Sequence, residues 1–130
     1  MFVNYLVTFY DADPAGVIFF GNTFRIVHYS LEKCMNSGGL YDDFFNNEIY
    51  TYPVKQTSAD FKKPLSPGQE VKIKFSILEI RESSFSCEFT IYNNDNNVVA
   101  VVNTVHVCLE KKTGNKKPIP ENILQFIKNI

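Results

Sequence analysis

Residues 9–37 read FYDADPAGVIFFGNTFRIVHYSLEKCMNS, and this stretch decides the fold. Pro14 and Gly16 rule out regular structure in its first part, so residues 11–16 are expected to form a turn-rich loop. From Phe20 onward, apolar residues recur at the spacing of an α-helix, with charged residues elsewhere on the helical wheel. The apolar positions are Phe20, Phe24, Val27, Leu31 and Cys34. The pattern predicts one long helix that is buried along one side.

The boundaries of this helix and of the strand before it are also marked in the sequence. Asn22 is a candidate N-cap, and the pair Gly38-Gly39 is a firm stop signal. Residues 2–9 are β-branched and aromatic, which predicts a first strand ahead of the loop. A short terminal helix is predicted over residues 120–128, after two prolines.

The chain after the long helix is mostly strand-like. Four strands are predicted, over residues 49–61, 70–80, 84–92 and 98–109. The last of these is apolar at nearly every position, which suits a strand covered on both faces. A long buried helix beside an antiparallel sheet of consecutive hairpins implies that the sheet curls around the helix. The predicted fold class is therefore α+β, with one domain over residues 1–130.

The composition is that of an ordinary soluble globular protein, with 45% hydrophobic and 21% charged residues among 130. A net charge of −1 gives no overall positive field for nucleic acid or anionic membranes. The three cysteines have no metal-like spacing and are expected to be reduced and buried. Neither a signal peptide nor a membrane-spanning stretch is recognisable, so a cytoplasmic location is expected.

Two carboxylates, Asp11 and Asp13, lie in the loop that leads into the long helix. Free N–H groups at a helix N-terminus favour developing negative charge. Acyl-transfer hydrolysis needs a group that attacks or activates water, together with donors for the oxyanion. A carboxylate near a helix start supplies both within a short stretch. An aspartate before a helix is also commonly a cap or turn residue, so spacing alone leaves both interpretations open.

The stretch from Phe9 to Phe20, followed by a long amphipathic helix, resembles the signature of the 4-hydroxybenzoyl-CoA thioesterase family. That signature is an Asp-x-Asp-x-x-Gly loop, two or three apolar residues and the helix. The resemblance implies a hotdog fold, in which an antiparallel sheet wraps around one long central helix. It also implies a homo-dimer or homo-tetramer with active sites between two subunits, and hydrolysis of an acyl-CoA without metal or further cofactor.

The family's site residues can be carried over position by position. The catalytic carboxylate corresponds to Asp13, acting as nucleophile or as general base. The backbone donor for the oxyanion corresponds to the N–H of Phe20, with Gly16 letting the loop pass close by. Phe19 and Phe20 are expected to help line the acyl pocket.

The helix is also similar to that of cyanobacterial 1,4-dihydroxy-2-naphthoyl-CoA hydrolases, on which a histidine and a glutamate recur. His28 and Glu32 stand four residues apart and are predicted to share a face. This similarity implies a bicyclic aromatic acyl group and a role in phylloquinone synthesis, with both residues touching substrate. Each also has an ordinary interpretation, as a packing histidine and as a surface carboxylate. His106, within an apolar strand, is interpreted as structural.

The phosphates of CoA call for basic side chains at the pocket mouth. Arg81 lies in a turn that resembles the family turn whose basic residues meet the nucleotide, and Glu82 takes the place of a second basic residue. Lys62 and Lys63 are the next candidates. Two alternative functions stay open: a broad acyl-CoA or acyl-carrier-protein thioesterase, and a non-catalytic acyl-CoA-binding module of the same fold.

Overall fold

The computed structural model describes all residues from 1 to 130. It contains seven strands and three α-helices, and a short 3₁₀ turn over Phe9–Asp11. In chain order they are β1 (Phe2–Leu6), α1 (Phe20–Ser37), α2 (Tyr41–Phe45), β2 (Tyr50–Thr51), β3 (Val54–Phe61), β4 (Glu70–Ile80), β5 (Ser84–Tyr92), β6 (Val98–Val107), β7 (Leu109–Glu110) and α3 (Glu121–Lys128). None of these helices is both long and apolar enough to cross a bilayer.

Five strands form one antiparallel sheet in the order β1-β4-β5-β6-β3, and β2 pairs with β7 beside it. The side of α1 that carries Ile26, Leu31 and Cys34 is completely or almost completely buried in the main core. Phe75 of β4 and Phe89 of β5 stand opposite each other and stack at 5.0 Å between ring centroids. The structure is therefore α+β, with the sheet packed around one long helix, as the sequence predicts.

Three local boundaries differ from the prediction. The strand predicted over residues 49–61 is broken at Tyr52-Pro53 into β2 and β3, which belong to different sheets. β1 ends at Leu6 instead of continuing to residue 9, because Asp11 accepts hydrogen bonds from Thr8 and closes a 3₁₀ turn. Asn22 is not the N-cap of α1, since the helix begins at Phe20. Its amide instead donates to the carbonyl oxygen of Asp11 at 2.9 Å, which fastens the loop to the first turn of the helix.

The prediction that residues 98–109 are covered on both faces is wrong for the single chain. Along β6 the inward side chains of Val102, Thr104 and His106 are buried, whereas Val101 and Val105 on the other face are only half-buried. The outer face is covered at Val107, which is buried, but not at Val101 and Val105. The apolar run therefore reflects a central position between β5 and β3 more than two-sided burial.

Candidate active site

The first aspartate of the loop is a structural anchor. Asp11 is fully buried, and its carboxylate accepts hydrogen bonds from the hydroxyl of Tyr5 (2.7 Å), the backbone N–H of Thr8 (2.9 Å) and the hydroxyl of Thr8 (3.0 Å). The guanidinium of Arg25, one turn and a half into α1, forms an ion pair with the same carboxylate. The network joins β1, the loop and α1 at one point.

The electrostatics of this anchor favour its charged form. Burial opposes ionisation of Asp11, but hydrogen bonds from Tyr5, Thr8 and Arg25 outweigh it and hold the pKa of that carboxyl below its ordinary value. Burial and the hydrogen bond to Asp11 raise the pKa of Tyr5. The phenol therefore stays protonated and acts as the hydrogen-bond donor to Asp11. Asp11 is thus a structural hydrogen-bond acceptor that is charged at neutral pH.

The loop beyond the anchor is a tight turn held by backbone hydrogen bonds. The N–H of Asp13 donates to the carbonyl of Val17 (2.9 Å), and the N–H of Gly16 donates to the carbonyl of Asp13 (3.0 Å). Gly16 has φ of +80°, a left-handed conformation that L side chains rarely adopt. The segment after the turn is held in place by a hydrogen bond of 3.0 Å from the N–H of Phe19 to the carbonyl oxygen of Asp11. The turn therefore brings Asp13 back toward the start of α1.

The carboxylate of Asp13 differs from that of Asp11 in having one protein partner only. Its Oδ1 accepts the N–H of Ala15 at 2.8 Å, which fixes its direction, and no other side chain or N–H contacts it. The residue is half-buried, so the carboxylate is reachable from outside. A positioned carboxylate with free acceptor capacity fits a nucleophile or a general base.

The backbone N–H of Phe20 is the first of α1 and has no acceptor within the chain. Unpaired N–H groups at a helix start point out along the helix axis, where the helix dipole also favours negative charge. An oxyanion that develops on a substrate carbonyl is stabilised by such a donor. The loop that carries Asp13 is fastened to this end of α1, because the Phe19 N–H and the Asn22 amide both donate to the carbonyl oxygen of Asp11.

An exposed aromatic cluster lies beside this end of α1, formed by Phe19, Phe20 and Phe61. The side chains are 46%, 61% and 48% exposed, which is unusual for large apolar rings. The rings of Phe19 and Phe20 are 4.7 Å apart, and that of Phe20 lies 6.3 Å from Phe61 at the end of β3. In the single chain these rings form an open surface and do not line the apolar cavity nearby.

That cavity lies between α1 and strands β3, β5 and β6 and has a volume of about 260 Å³. It is lined by Phe24, Val27, His28, Leu31, Val54, Thr57, Phe89, Thr104 and His106. His28 and Glu32 share a helix face as predicted, with 3.6 Å between the Nδ1 of His28 and the Oε1 of Glu32. Only His28 of this pair lines the cavity, whereas Glu32 lies on the outer surface beside Tyr41. The two helix candidates therefore lie side by side, but only His28 faces the cavity.

The basic candidates fall into two groups at opposite ends of β3. Lys62 follows the end of β3 and forms an ion pair with Asp60 at 2.9 Å, and Lys63 comes next in the chain. Arg81 lies beyond the other end, paired with Glu79, in a surface depression that it shares with Lys55 and Lys116. The eight residues of β3 span about 23 Å at roughly 3.3 Å per residue. One chain therefore does not bring Arg81 and Lys62 together.

The position of Lys55 and Lys116 beside Arg81, in one surface depression, was not predicted from the sequence. It arises because Val54 stands opposite His106 in the sheet and Ser84 stands opposite Val107, which places the start of β3 beside the β4–β5 turn. Sequence periodicity gives the strands but not this register. The only available signal was the presence of basic residues in both segments.

The cysteines are buried and unpaired. Burial raises the pKa of Cys34 to about 11 and that of Cys87 to about 12, so neither is a thiolate at neutral pH. No group of three or more metal-ligating side chains converges in the structure. The carboxylate of Asp13 and the N–H at the start of α1 therefore remain the candidate groups for acyl chemistry.

Comparison with known proteins identifies the class. Residues 7–127 match the model of the Thioesterase-like superfamily, and the chain belongs to that family. A 1,4-dihydroxy-2-naphthoyl-CoA hydrolase from Thermosynechococcus vestitus is 30% identical over 124 residues, which cover 95% of this chain and 85% of the relative. The relative of the same name from Nostoc punctiforme is also 30% identical, over 95% of this chain and 84% of its own length.

Solved structures show the same fold. The 1,4-dihydroxy-2-naphthoyl-CoA thioesterase Slr0204 from Synechocystis superposes with a TM-score of 0.93 at 23% identity, covering 99% of this chain and 96% of its own. A protein from Staphylococcus aureus solved in complex with CoA, SAV2348, has a TM-score of 0.87 at 17% identity, over 98% of this chain and 84% of its own. The hotdog fold predicted from the loop and helix is confirmed.

Proposed function

We propose that this protein is a thioesterase that hydrolyses 1,4-dihydroxy-2-naphthoyl-CoA, a step of phylloquinone synthesis, with Asp13 as its essential carboxylate. The relatives at 30% identity carry that name, and they match over almost the whole chain. The observation that carries the proposal is the difference in hydrogen bonding between the two aspartates of the loop. Asp11 is saturated with protein partners, whereas Asp13 keeps a free oxygen beside a helix start whose first N–H has no acceptor.

The proposed chemistry uses these two groups. The thioester carbonyl oxygen accepts a hydrogen bond from the N–H of Phe20, which stabilises the negative charge of the tetrahedral intermediate. With Asp13 as general base, the carboxylate takes a proton from water while the water oxygen bonds to the carbonyl carbon. The C–S bond then breaks, and the proton passes from Asp13 to the departing sulfur. With Asp13 as nucleophile, its oxygen bonds to the carbonyl carbon and the C–S bond breaks, which releases CoA as a thiolate that takes a proton from solvent. Water then cleaves the resulting mixed anhydride, which returns the Asp13 carboxylate and releases the free acid. Neither route requires a metal or a cofactor besides the CoA of the substrate.

The site is proposed to be completed by a second copy of the chain. β3 is an edge strand, so its outer N–H and C=O groups are free to pair, and apolar side chains at both of its ends are exposed. Antiparallel pairing of β3 with its own copy places the Phe61–Lys63 end of one chain against the Val54–Lys55 end of the other. That arrangement brings Arg81, Lys55 and Lys116 of one chain to the Asp13 end of its partner, where CoA phosphates need cations.

Complementation between two inactive variants tests this shared site. Co-expressed chains carrying Asp13→Asn or the pair Lys55→Ala/Arg81→Ala are expected to form mixed dimers in which one of the two sites is intact. Random pairing then restores about a quarter of native activity, because half of the dimers are mixed and each has one working site. No recovery in mixed dimers of confirmed mass would show that each chain supplies a complete site by itself.

The activity is tested by release of CoA thiol from a substrate panel. The panel contains 1,4-dihydroxy-2-naphthoyl-CoA, 4-hydroxybenzoyl-CoA, benzoyl-CoA and palmitoyl-CoA, with the Asp13→Asn protein as the control for each. The expected order places the dihydroxynaphthoyl substrate first by kcat/KM. A preference for palmitoyl-CoA or equal rates on all four would support the broad thioesterase instead. Tight binding of every thioester without turnover would support the non-catalytic module.

A further inference from the structure

The cavity between α1 and the sheet holds two buried polar side chains that the proposed chemistry does not use. His106 is 2% exposed and Thr104 is 7% exposed, and both line this otherwise mainly apolar space. The hydroxyl of Thr104 has no nitrogen or oxygen partner in the protein, and only the thiol of Cys87, a weak hydrogen-bonding group, lies opposite it on β5. Burying a polar group without a partner costs free energy, so such a group in a cavity indicates a ligand that supplies the missing partner.

The hydrogen bonding of His106 fixes which ring nitrogen is available. Its Nδ1 lies 3.1 Å from the carbonyl oxygen of Tyr52, and a carbonyl can only accept, so Nδ1 carries a proton. Burial lowers the pKa of His106, so the ring is neutral at pH 7 and the other nitrogen, Nε2, is an acceptor. Nε2 has no partner within the chain. Stacking on Phe85, at 5.2 Å and 11°, holds the ring in this orientation.

The size and place of the cavity suit the ring system of an aromatic acyl group. An apolar cavity of about 150 Å³ is enough for one benzene ring, and this one has about 260 Å³. A thioester carbonyl held at the Phe20 N–H leaves its acyl group one helical turn from Phe24, which is about 6 Å further along α1. Phe24 is the lining residue of α1 nearest to that N–H.

We propose that this cavity receives the ring system of the acyl group and that the Nε2 of His106 accepts a hydrogen bond from a ring hydroxyl, with Thr104 as the neighbouring polar contact. His106 is then a residue that determines specificity, selecting hydroxylated over unhydroxylated aromatic acyl groups. The proposal rests on the proposed thioesterase function and adds the residue that recognises its substrate.

Two substitutions of His106 separate its two nitrogens. An asparagine amide reaches the position of Nδ1 and keeps the bond to the carbonyl of Tyr52, but it leaves the position of Nε2 empty. A glutamine amide reaches the position of Nε2 instead. His106→Asn is therefore expected to lose the hydroxyl preference while keeping the structural bond, and His106→Gln is expected to retain part of that preference. Thermal unfolding of each variant checks that the core is intact.

The readout is the ratio of kcat/KM between hydroxylated and plain substrates. The panel consists of 1-hydroxy-, 4-hydroxy- and unsubstituted 2-naphthoyl-CoA, which also shows which ring position donates. An unpaired buried acceptor costs enough to give a preference of about 10- to 100-fold in the native protein. His106→Asn is expected to bring this ratio close to one. A ratio unchanged in His106→Asn, or one lost instead in His28→Asn at the same cavity, would overturn the proposal.

A binding measurement keeps this test independent of turnover. Calorimetry compares 1-hydroxy-2-naphthoate, 4-hydroxy-2-naphthoate and 2-naphthoate binding to the native protein and to His106→Asn. Tighter binding of a hydroxylated acid, lost in the variant and accompanied by a shift of the His106 Nε2 resonance in nitrogen NMR, would support the cavity even if no thioester were cleaved. Equal binding of all three acids to both proteins would exclude the proposed contact even if the thioesterase activity were established.

Discussion

The two halves of the loop before α1 each carry an aspartate, and the two aspartates have opposite surroundings. In the first half, residues 9–12, Asp11 is fully buried and bonded to Tyr5, Thr8 and Arg25. In the second half, residues 13–16, Asp13 is half-buried and accepts a single N–H from within its own turn. The first half holds the loop rigidly against the helix and the sheet. The second half can therefore present a carboxylate with free acceptor capacity at a fixed place.

Asp11 therefore serves stability and Asp13 the proposed activity, although only one residue lies between them. A buried carboxylate loses its hydration, and only several charge-assisted hydrogen bonds together offset that cost. A carboxylate that reacts needs the reverse, namely an oxygen that no protein group occupies. The two requirements exclude each other for one side chain, so two aspartates are needed, and substitutions of each should change different properties.

The largest expected effect is the loss of turnover in Asp13→Asn. The amide keeps the shape and the bond from Ala15, but it can neither accept a proton from water nor attack the thioester. A fall in kcat of about 10²- to 10⁴-fold is expected, as for the removal of a general base. The melting temperature should stay within roughly 1–2 °C of the native value, because the side chain makes no long-range contact. Thiol release and thermal unfolding measure the two properties. A large drop in both would contradict the claim that Asp13 contributes to activity and not to stability.

Asp11→Asn should give the opposite result. The buried amide cannot satisfy Tyr5, Thr8 and Arg25 together, and an unsatisfied buried partner costs about 1–3 kcal/mol of unfolding free energy. Denaturant unfolding should show this loss at pH 7. Any decrease in kcat should be smaller than that of Asp13→Asn and should be reduced at lower temperature, where the loop is better held. An unchanged stability would show that the network is dispensable.

The pH dependence of stability should reflect the same carboxylate. The pKa of Asp11 is lowered in the folded protein from its ordinary value of 3.8, so in acid the unfolded chain binds the extra proton first. The stabilising contribution is fully present above the unfolded pKa and is lost as pH falls through the folded pKa. The stability gap between the native protein and Asp11→Asn should therefore be constant above about pH 5 and shrink in more acidic solution. A gap that stayed constant down to pH 2 would assign the loss to packing.

The sequence predicted the fold well because its signals are local. The helical period from Phe20, the Gly38-Gly39 stop and the alternation over residues 70–92 each depend on neighbours in the chain, and all appear in the structure. The position of Arg81 beside Lys55 and Lys116 depends instead on strand register, which the hydrophobic period does not encode. The buried role of Asp11 was likewise out of reach, because its partners Tyr5 and Arg25 lie on two other elements.

The role of His106 shows the same limit in another form. An apolar strand around a histidine predicts a structural residue, and the bond from Nδ1 to Tyr52 agrees with that interpretation. The free Nε2 and the cavity that it lines become visible only when α1, β3 and β6 are packed together. A residue can thus be structural through one nitrogen and open to a ligand through the other, which composition and spacing cannot show.

The smallest expected effect comes from the glycine that closes the turn of Asp13, and it tests whether the turn is rigid. Gly16 and Gly39 have φ of +80° and +71°, and a Cβ at either position would meet no atom within 4 Å. Alanine at each should therefore cost about 1 kcal/mol of stability through backbone strain alone. Only Gly16→Ala should also lower kcat, by about 5- to 10-fold, because relief of the strain shifts the neighbouring carboxylate from its place beside the Phe20 N–H. Gly39→Ala, at the far end of α1, is the matched control for strain. Equal kcat in the two variants would mean that the turn adjusts around the alanine and that the position of Asp13 is set by the Asp11 anchor alone.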